Sequence, residues 1–97
     1  MTPEGVRVVL FEDTWRGHIL DPHGHPELES YLHVVLAVIA EPDHREPDSR
    51  PGRERFFKRE SGLTTWVMAV VDFQPDPARI VTALGRGHGR SPSGWTT

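Results

Sequence analysis

Six histidines are spread along the chain, and three of them, His18, His23 and His25, stand close together near its front. A cationic and aromatic run, Arg53-Glu54-Arg55-Phe56-Phe57-Lys58-Arg59, follows, and then a hydroxyl at Thr82. An imidazole moves protons near neutral pH, a guanidinium neutralises a phosphate, and a hydroxyl donates a hydrogen bond. Those are the parts needed to cut a ribose-linked phosphodiester without a metal. One group takes the 2′-hydroxyl proton, cations stabilise the crowded phosphorane, and an acid protonates the departing oxygen.

Each of these residues also has a purely structural use. His18, beside Trp15 and Ile19, suits packing or surface exposure, and His25 suits a helix cap. Thr82 shares strand parity with Ile80 and Leu84, so it reads equally as a β-former turned toward packed side chains. Arg53, Arg55 and Arg59 share one strand face, which fits a solvated sheet edge. Phe56 and Phe57 point to opposite sides, so at least one belongs to the core and the other is placed to stack or cap an edge. Lys58 has the wrong parity to join the arginines.

His23-Gly24-His25 beside Asp21 is the alternative reading as a metal site, since alternating histidines in a loop ligate Zn²⁺ or Ni²⁺. Spacing supplies no third ligand, and neither cysteine nor a helical His-Glu-x-x-His pattern is present, so no metal and no cofactor is expected. The glycines at 85, 87 and 89 precede no helical pattern and read as flexibility.

The elements that must position these groups follow from periodicity and turn chemistry. Val6 to Phe11 is a short candidate strand, and Asp13 or Thr14 can cap a short helix through Trp15, His18 and Ile19. Asp21-Pro22-His23-Gly24 breaks it. His25-Pro26-Glu27-Leu28 opens a longer helix, with proline at its first position and acids in the first turn. Leu28, Tyr31, Leu32, Val35 and Ile39 form its apolar stripe, widened by Leu36 and Val38, while Ser30, His33 and Ala37 lie opposite. Pro42 ends it. Glu41 to Gly52, rich in proline and charge, reads as an exposed connector. Three strands then alternate with short turns: Arg53 to Glu60, Thr64 to Phe73 and Arg79 to Leu84. The predicted fold is α+β, with N-terminal helices packed on an antiparallel β-sheet meander. The continuously apolar Trp66 to Val71 belongs at its centre. Residues 1–84 are expected to form a single domain, and 85–97, with Trp95, a flexible tail.

Ninety-seven residues with 36% apolar content allow a modest core. The 11 basic and 14 acidic side chains leave a net charge of −3, so nonspecific polyanion binding is not expected from the total. The distribution is uneven: residues 1–43 carry Arg7 and Arg16 against eight acids, whereas 78–97 carry Arg79, Arg86 and Arg90 with none. A local basic surface is thus available from the back half. No cysteine means no disulfide. The longest apolar run, Val34 to Ala40, is far shorter than a membrane-spanning helix, and Pro3, Glu4 and Arg7 interrupt any secretory pattern after Met1. The expectation is a cytoplasmic protein without membrane contact.

The order Trp15-Arg16-Gly17-His18-Ile19-Leu20, His25-Pro26-Glu27-Leu28, a helix ending in Glu41-Pro42-Asp43, a strand with paired aromatics, and Ile80-Val81-Thr82-Ala83 resembles the small phage and mobile-element nucleases of the barnase, EndoU, colicin and RelE-like superfamily. The resemblance covers about residues 15–84, and it lies in the order and spacing of short motifs. It implies helices on a four-stranded antiparallel sheet and a metal-independent endoribonuclease of toxin or phage type, with RNA as substrate and an antitoxin or immunity protein as partner. It implies catalytic roles for His18, His25 and Thr82, and phosphate contact by Arg55 or Arg59. Where relatives often carry tyrosines this chain has Phe56 and Phe57, and Phe57 is the ring available for stacking on a base. The alternative is a catalytically inactive nuclease-fold protein that acts as a protein-interaction module, with Trp95 as an anchor.

Overall fold

The apolar run at Trp66–Val71 forms most of the middle strand of a five-stranded sheet in the computed structural model, which describes residues 1–21, 28, 32–59 and 66–86. In chain order the elements are β1 (Val8–Val9), α1 (Glu12–Thr14), a π-helical turn (Trp15–Ile19), α2 (Leu32–Ala40), β2 (His44–Pro47), β3 (Arg53–Arg59), β4 (Trp66–Asp72) and β5 (Ala78–Arg86). The spatial order of the strands is β1-β5-β4-β3-β2. The meander expected over β3, β4 and β5 is present, each strand antiparallel to the next.

The sheet as a whole is mixed rather than antiparallel, because β1 runs parallel to β5 through Val8 opposite Ala78 and Val9 opposite Arg79. The expected connector also contains a strand. His44–Pro47 pairs antiparallel with β3, from His44 opposite Phe57 to Pro47 opposite Glu54. Its charges, which read as loop character, are cross-strand partners: Arg45 Nε donates to Glu54 Oε2 at 2.9 Å, and Arg55 Nη1 lies 3.5 Å from Glu46 Oε2. Pro47 is tolerated because an edge strand has one side without ladder bonds.

The front helix differs in its start and in its winding. Phe11, not Asp13 or Thr14, occupies the N-cap, and no side chain caps it. After Thr14 the helix widens, so that Leu20 N–H reaches the carbonyl of Trp15 at 2.8 Å, one residue further than an α-helical bond. The proposed start of the longer helix at His25-Pro26 lies outside the described residues. Its end is as expected: α2 stops at Ala40, and Glu41 N–H bonds the Ala37 carbonyl at 2.8 Å.

One face of the sheet carries the helices. Val67, Ala69 and Val71 of β4, Phe56 of β3 and Ile80 and Ala83 of β5 pack with Trp15, Ile19, Leu28, Val34, Val35, Val38 and Ile39. The buried stripe of α2 is therefore rotated from the predicted one. Val34 is inside, whereas Leu32 and Leu36 are exposed and, with Leu10 and Trp15, line an open groove. The opposite face buries Phe57, Trp66 and Val70, so β4 is covered on both sides.

Arg45 fastens the molecule across the sheet. Its guanidinium carbon lies 4.2 Å from the centre of the buried Phe56 ring, and Nη1 donates to Glu4 Oε2 at 2.6 Å, with Glu54 as a further partner. Glu4 precedes β1 at one edge and Arg45 lies on β2 at the other. The Arg45 hydrogen bond holds the Glu4 carboxyl down from its ordinary 4.5 to about 2. The pair's contribution to stability is therefore fully present above pH 4.5 and is lost as pH falls through about 2. The gap in urea stability between the native chain and Glu4→Gln should close over that window. Phe56→Ala, which empties a fully buried site under that cation, should cost about 3–5 kcal/mol in the same measurement.

Candidate functional site

A cleft of about 390 Å³ opens where the end of the π-helical turn, the β2–β3 hairpin loop and the centre of the sheet meet. Its walls are His18 from the turn, Asp48, Ser49 and Arg50 from the loop, Arg53 from the start of β3, and Val70, Val81 and Thr82 from the sheet. His18 and Thr82, distant in sequence, thus face the same space.

Local structure explains why each one points there. Trp15 and Ile19 are buried in the core, and the wide turn between them leaves His18 exposed beside β5. Thr82 is turned by a β-bulge. Val70 pairs with Thr82 but Val71 pairs with Ile80, which leaves Val81 as the extra residue. Parity alone would put Ile80 and Thr82 on one face. The bulge separates them, burying Ile80 in the helix-side core and bringing Thr82 to the face that carries Arg53, Arg55 and Arg59.

The loop that brings Arg50 is tied at several points. Asp48 N–H bonds the Arg53 carbonyl at 3.0 Å, and Phe73 N–H bonds the Gly52 carbonyl at 2.9 Å. Asp48 Oδ2 accepts from Arg50 N–H at 3.2 Å, and Oδ1 accepts from Arg55 Nε at 2.7 Å. Partial burial pushes the Asp48 carboxyl up, but these hydrogen bonds and the Arg55 charge together bring it below its ordinary value. It stands in the cleft wall as a paired carboxylate and not as a proton donor. Gly52 has φ +77°, the left-handed region that glycine tolerates.

Other residues named from the sequence fall elsewhere. His25 lies outside the described residues, as do His23 and Trp95. Arg55 does not line the cleft; it is held between Asp48 and Glu46. Arg59 is at the far end of β3 from Arg53, about 20 Å away by strand rise, and its N–H bonds Asp43 Oδ2 at 2.9 Å. Phe57 is 3% exposed and packs between His44, at 5.7 Å, and Trp66, at 5.4 Å edge-on. No cluster of three or more metal-ligating side chains occurs among the described residues.

The cleft's arginines differ from those singled out by sequence. Arg53 faces it with Asp72 Oδ2 3.9 Å from its Nε, and the exposed Arg50 has no carboxylate on its guanidinium among the described residues. Arg50 and Ser49 escaped notice because their segment read as a connector. The available signal was the hairpin itself: Asp48-Ser49-Arg50-Pro51-Gly52 is turn chemistry, and Glu46 and Arg55 on either side of it are of opposite charge. Proton transfer at His18, charge neutralisation by Arg50 and Arg53, and hydrogen bonds from Ser49 and Thr82 are what the cleft can offer a ligand.

Comparison with protein-family models, with curated proteins and with solved structures found no significant match.

A Cβ on Gly52 would lie 2.5 Å from Gln74 Cγ, besides straining the backbone. Gly52→Ala should lower stability by about 1–2 kcal/mol, seen in urea unfolding, and should shift the amide resonances of Ser49 and Arg50.

Proposed function

We propose that the cleft is the active site of a metal-independent endoribonuclease. The reading is supported above all by the convergence of His18, Thr82, Arg50 and Arg53 on one open cleft, the groups such chemistry requires. The family resemblance drawn from the motif order agrees with it.

In this reading the ribose 2′-oxygen attacks phosphorus as its proton passes to a base. The bond to the 5′-oxygen breaks, and that oxygen takes a proton from an acid, leaving a 2′,3′-cyclic phosphate and a free 5′-hydroxyl. His18 is one of the two proton-transfer groups, with His25 as the second. Arg50 and Arg53 neutralise charge building on the phosphorane, and they replace Arg55 and Arg59 in that role because they face the cleft. The Thr82 hydroxyl donates to a non-bridging oxygen. Val70 and Val81 provide an apolar floor beside these polar groups.

Purified chain incubated with unstructured RNA in the presence of chelator should yield cyclic-phosphate ends, with a bell-shaped dependence of rate on pH. His18→Ala should lower the rate on the order of 10²–10⁴-fold. Thr82→Val, which keeps the β-branched shape and loses the hydroxyl, should lower it roughly tenfold. Cleavage that proceeds at full rate in both variants would remove the cleft from the reaction. A folded chain that cuts no RNA would turn the reading toward the interaction module.

A further inference from the structure

We infer that Arg55, although it stands outside the cleft wall, is a positioning residue that makes the cleft receptive to a phosphate group, by neutralising Asp48 and holding the loop that carries Arg50. The identity of the phosphate, an RNA phosphodiester, rests on the ribonuclease reading; the role of Arg55 rests on geometry.

Asp48 faces the cleft next to Arg50 and Arg53, the two cations available to an anion. An uncompensated carboxylate there would repel the ligand the arginines attract. With its side chain 12% exposed, its charge is little screened by water. Arg55 removes that repulsion with a direct ion pair, Nε to Oδ1 at 2.7 Å. The other carboxylate oxygen then remains on the backbone N–H of Arg50, so one side chain both cancels a charge and pins the loop.

Arg55 is itself oriented from behind. Its Nη1 lies 3.5 Å from Glu46 Oε2, and Glu46 Oε1 lies 3.1 Å from His44 Nε2. A planar guanidinium serves two carboxylates at fixed angles, which an ammonium on a flexible stem does less well. The chain His44, Glu46, Arg55, Asp48 thus runs along β2 and β3 and ends at the cleft wall.

The test titrates inorganic phosphate, and separately a 2′-O-methyl oligoribonucleotide that cannot be cut, into the protein while the His18 imidazole resonances and calorimetric heats are followed. Both ligands should shift His18 in the native chain, and Arg55→Ala should weaken both by about tenfold. Arg55→Lys, which keeps the charge without the fork, should lose less. The deciding variant is Arg55→Ala combined with Asp48→Asn. The amide carries no charge yet its oxygen still accepts from Arg50 N–H, so affinity should recover most of the loss, whereas a merely structural role for Arg55 would leave the double variant no better than the single one. Absence of phosphate binding in the native chain, unchanged affinity in Arg55→Ala, or absence of recovery in the double variant each overturns the proposal. Binding with the expected pattern in a chain that cuts no RNA upholds the role of Arg55 and discards the ribonuclease reading alone.

Discussion

The register shift between Val70 and Val71 governs both faces of the sheet. On one side of it Ile80 is packed in the helix-side core, and on the other Thr82 points to the opposite face. Without the extra residue at Val81, the two could not both occupy those places, because side chains in a regular strand alternate strictly. A slip of the bulge by one position would expose an isoleucine or withdraw the hydroxyl. The hydrophobic requirement of Ile80 therefore fixes where Thr82 points.

A second constraint comes from the charges. The arginines of β3 are placed by strand alternation, but their chemistry is set by what lies across from them. Arg55 meets Glu46 and Asp48, Arg53 meets Asp72, and neighbouring β2 gives Arg45 to Glu54 and Glu4. Arg55 thus joins β3 to β2 and the hairpin loop, Arg53 lies toward β4, and Arg45 of β2 reaches the N-terminal segment. Arg50 and Arg53 line the cleft beside the hairpin loop, while Arg59 is exposed at the far end of β3. A chain with a net negative charge can hold such a spot of positive potential, since oppositely charged neighbours compensate each other within a few ångströms.

The helical layer supplies the remaining wall. The π-helical turn lets Trp15 and Ile19 both enter the core while His18 stays out. Extra-wide turns of this kind are weakly encoded locally, because they depend on what the flanking apolar residues can reach. The same is true of α2, whose burial is centred on Val34, Val35, Val38 and Ile39. Its leucines at 32 and 36 face outward, although hydropathy alone places them inside.

The amino-acid sequence by itself determined the elements with strong local signals. The β3-β4-β5 meander follows from apolar strands separated by turn residues, β4 as its centre from unbroken apolarity, the end of α2 from Pro42, and Phe56 and Phe57 as residues of opposite faces from simple alternation. It also pointed to His18 and Thr82 as candidates by residue type. Tertiary structure alone decided that these two share a cleft, that Arg50 and Arg53 face it, and that Arg55 instead holds Asp48. The physical reason is that pairing across strands and the placing of a bulge are settled by long-range packing. The parallel pairing of β1, which lies within the candidate strand Val6 to Phe11, and the hidden strand β2 have the same origin: the sheet edge beside each segment offers backbone partners that its own sequence does not specify.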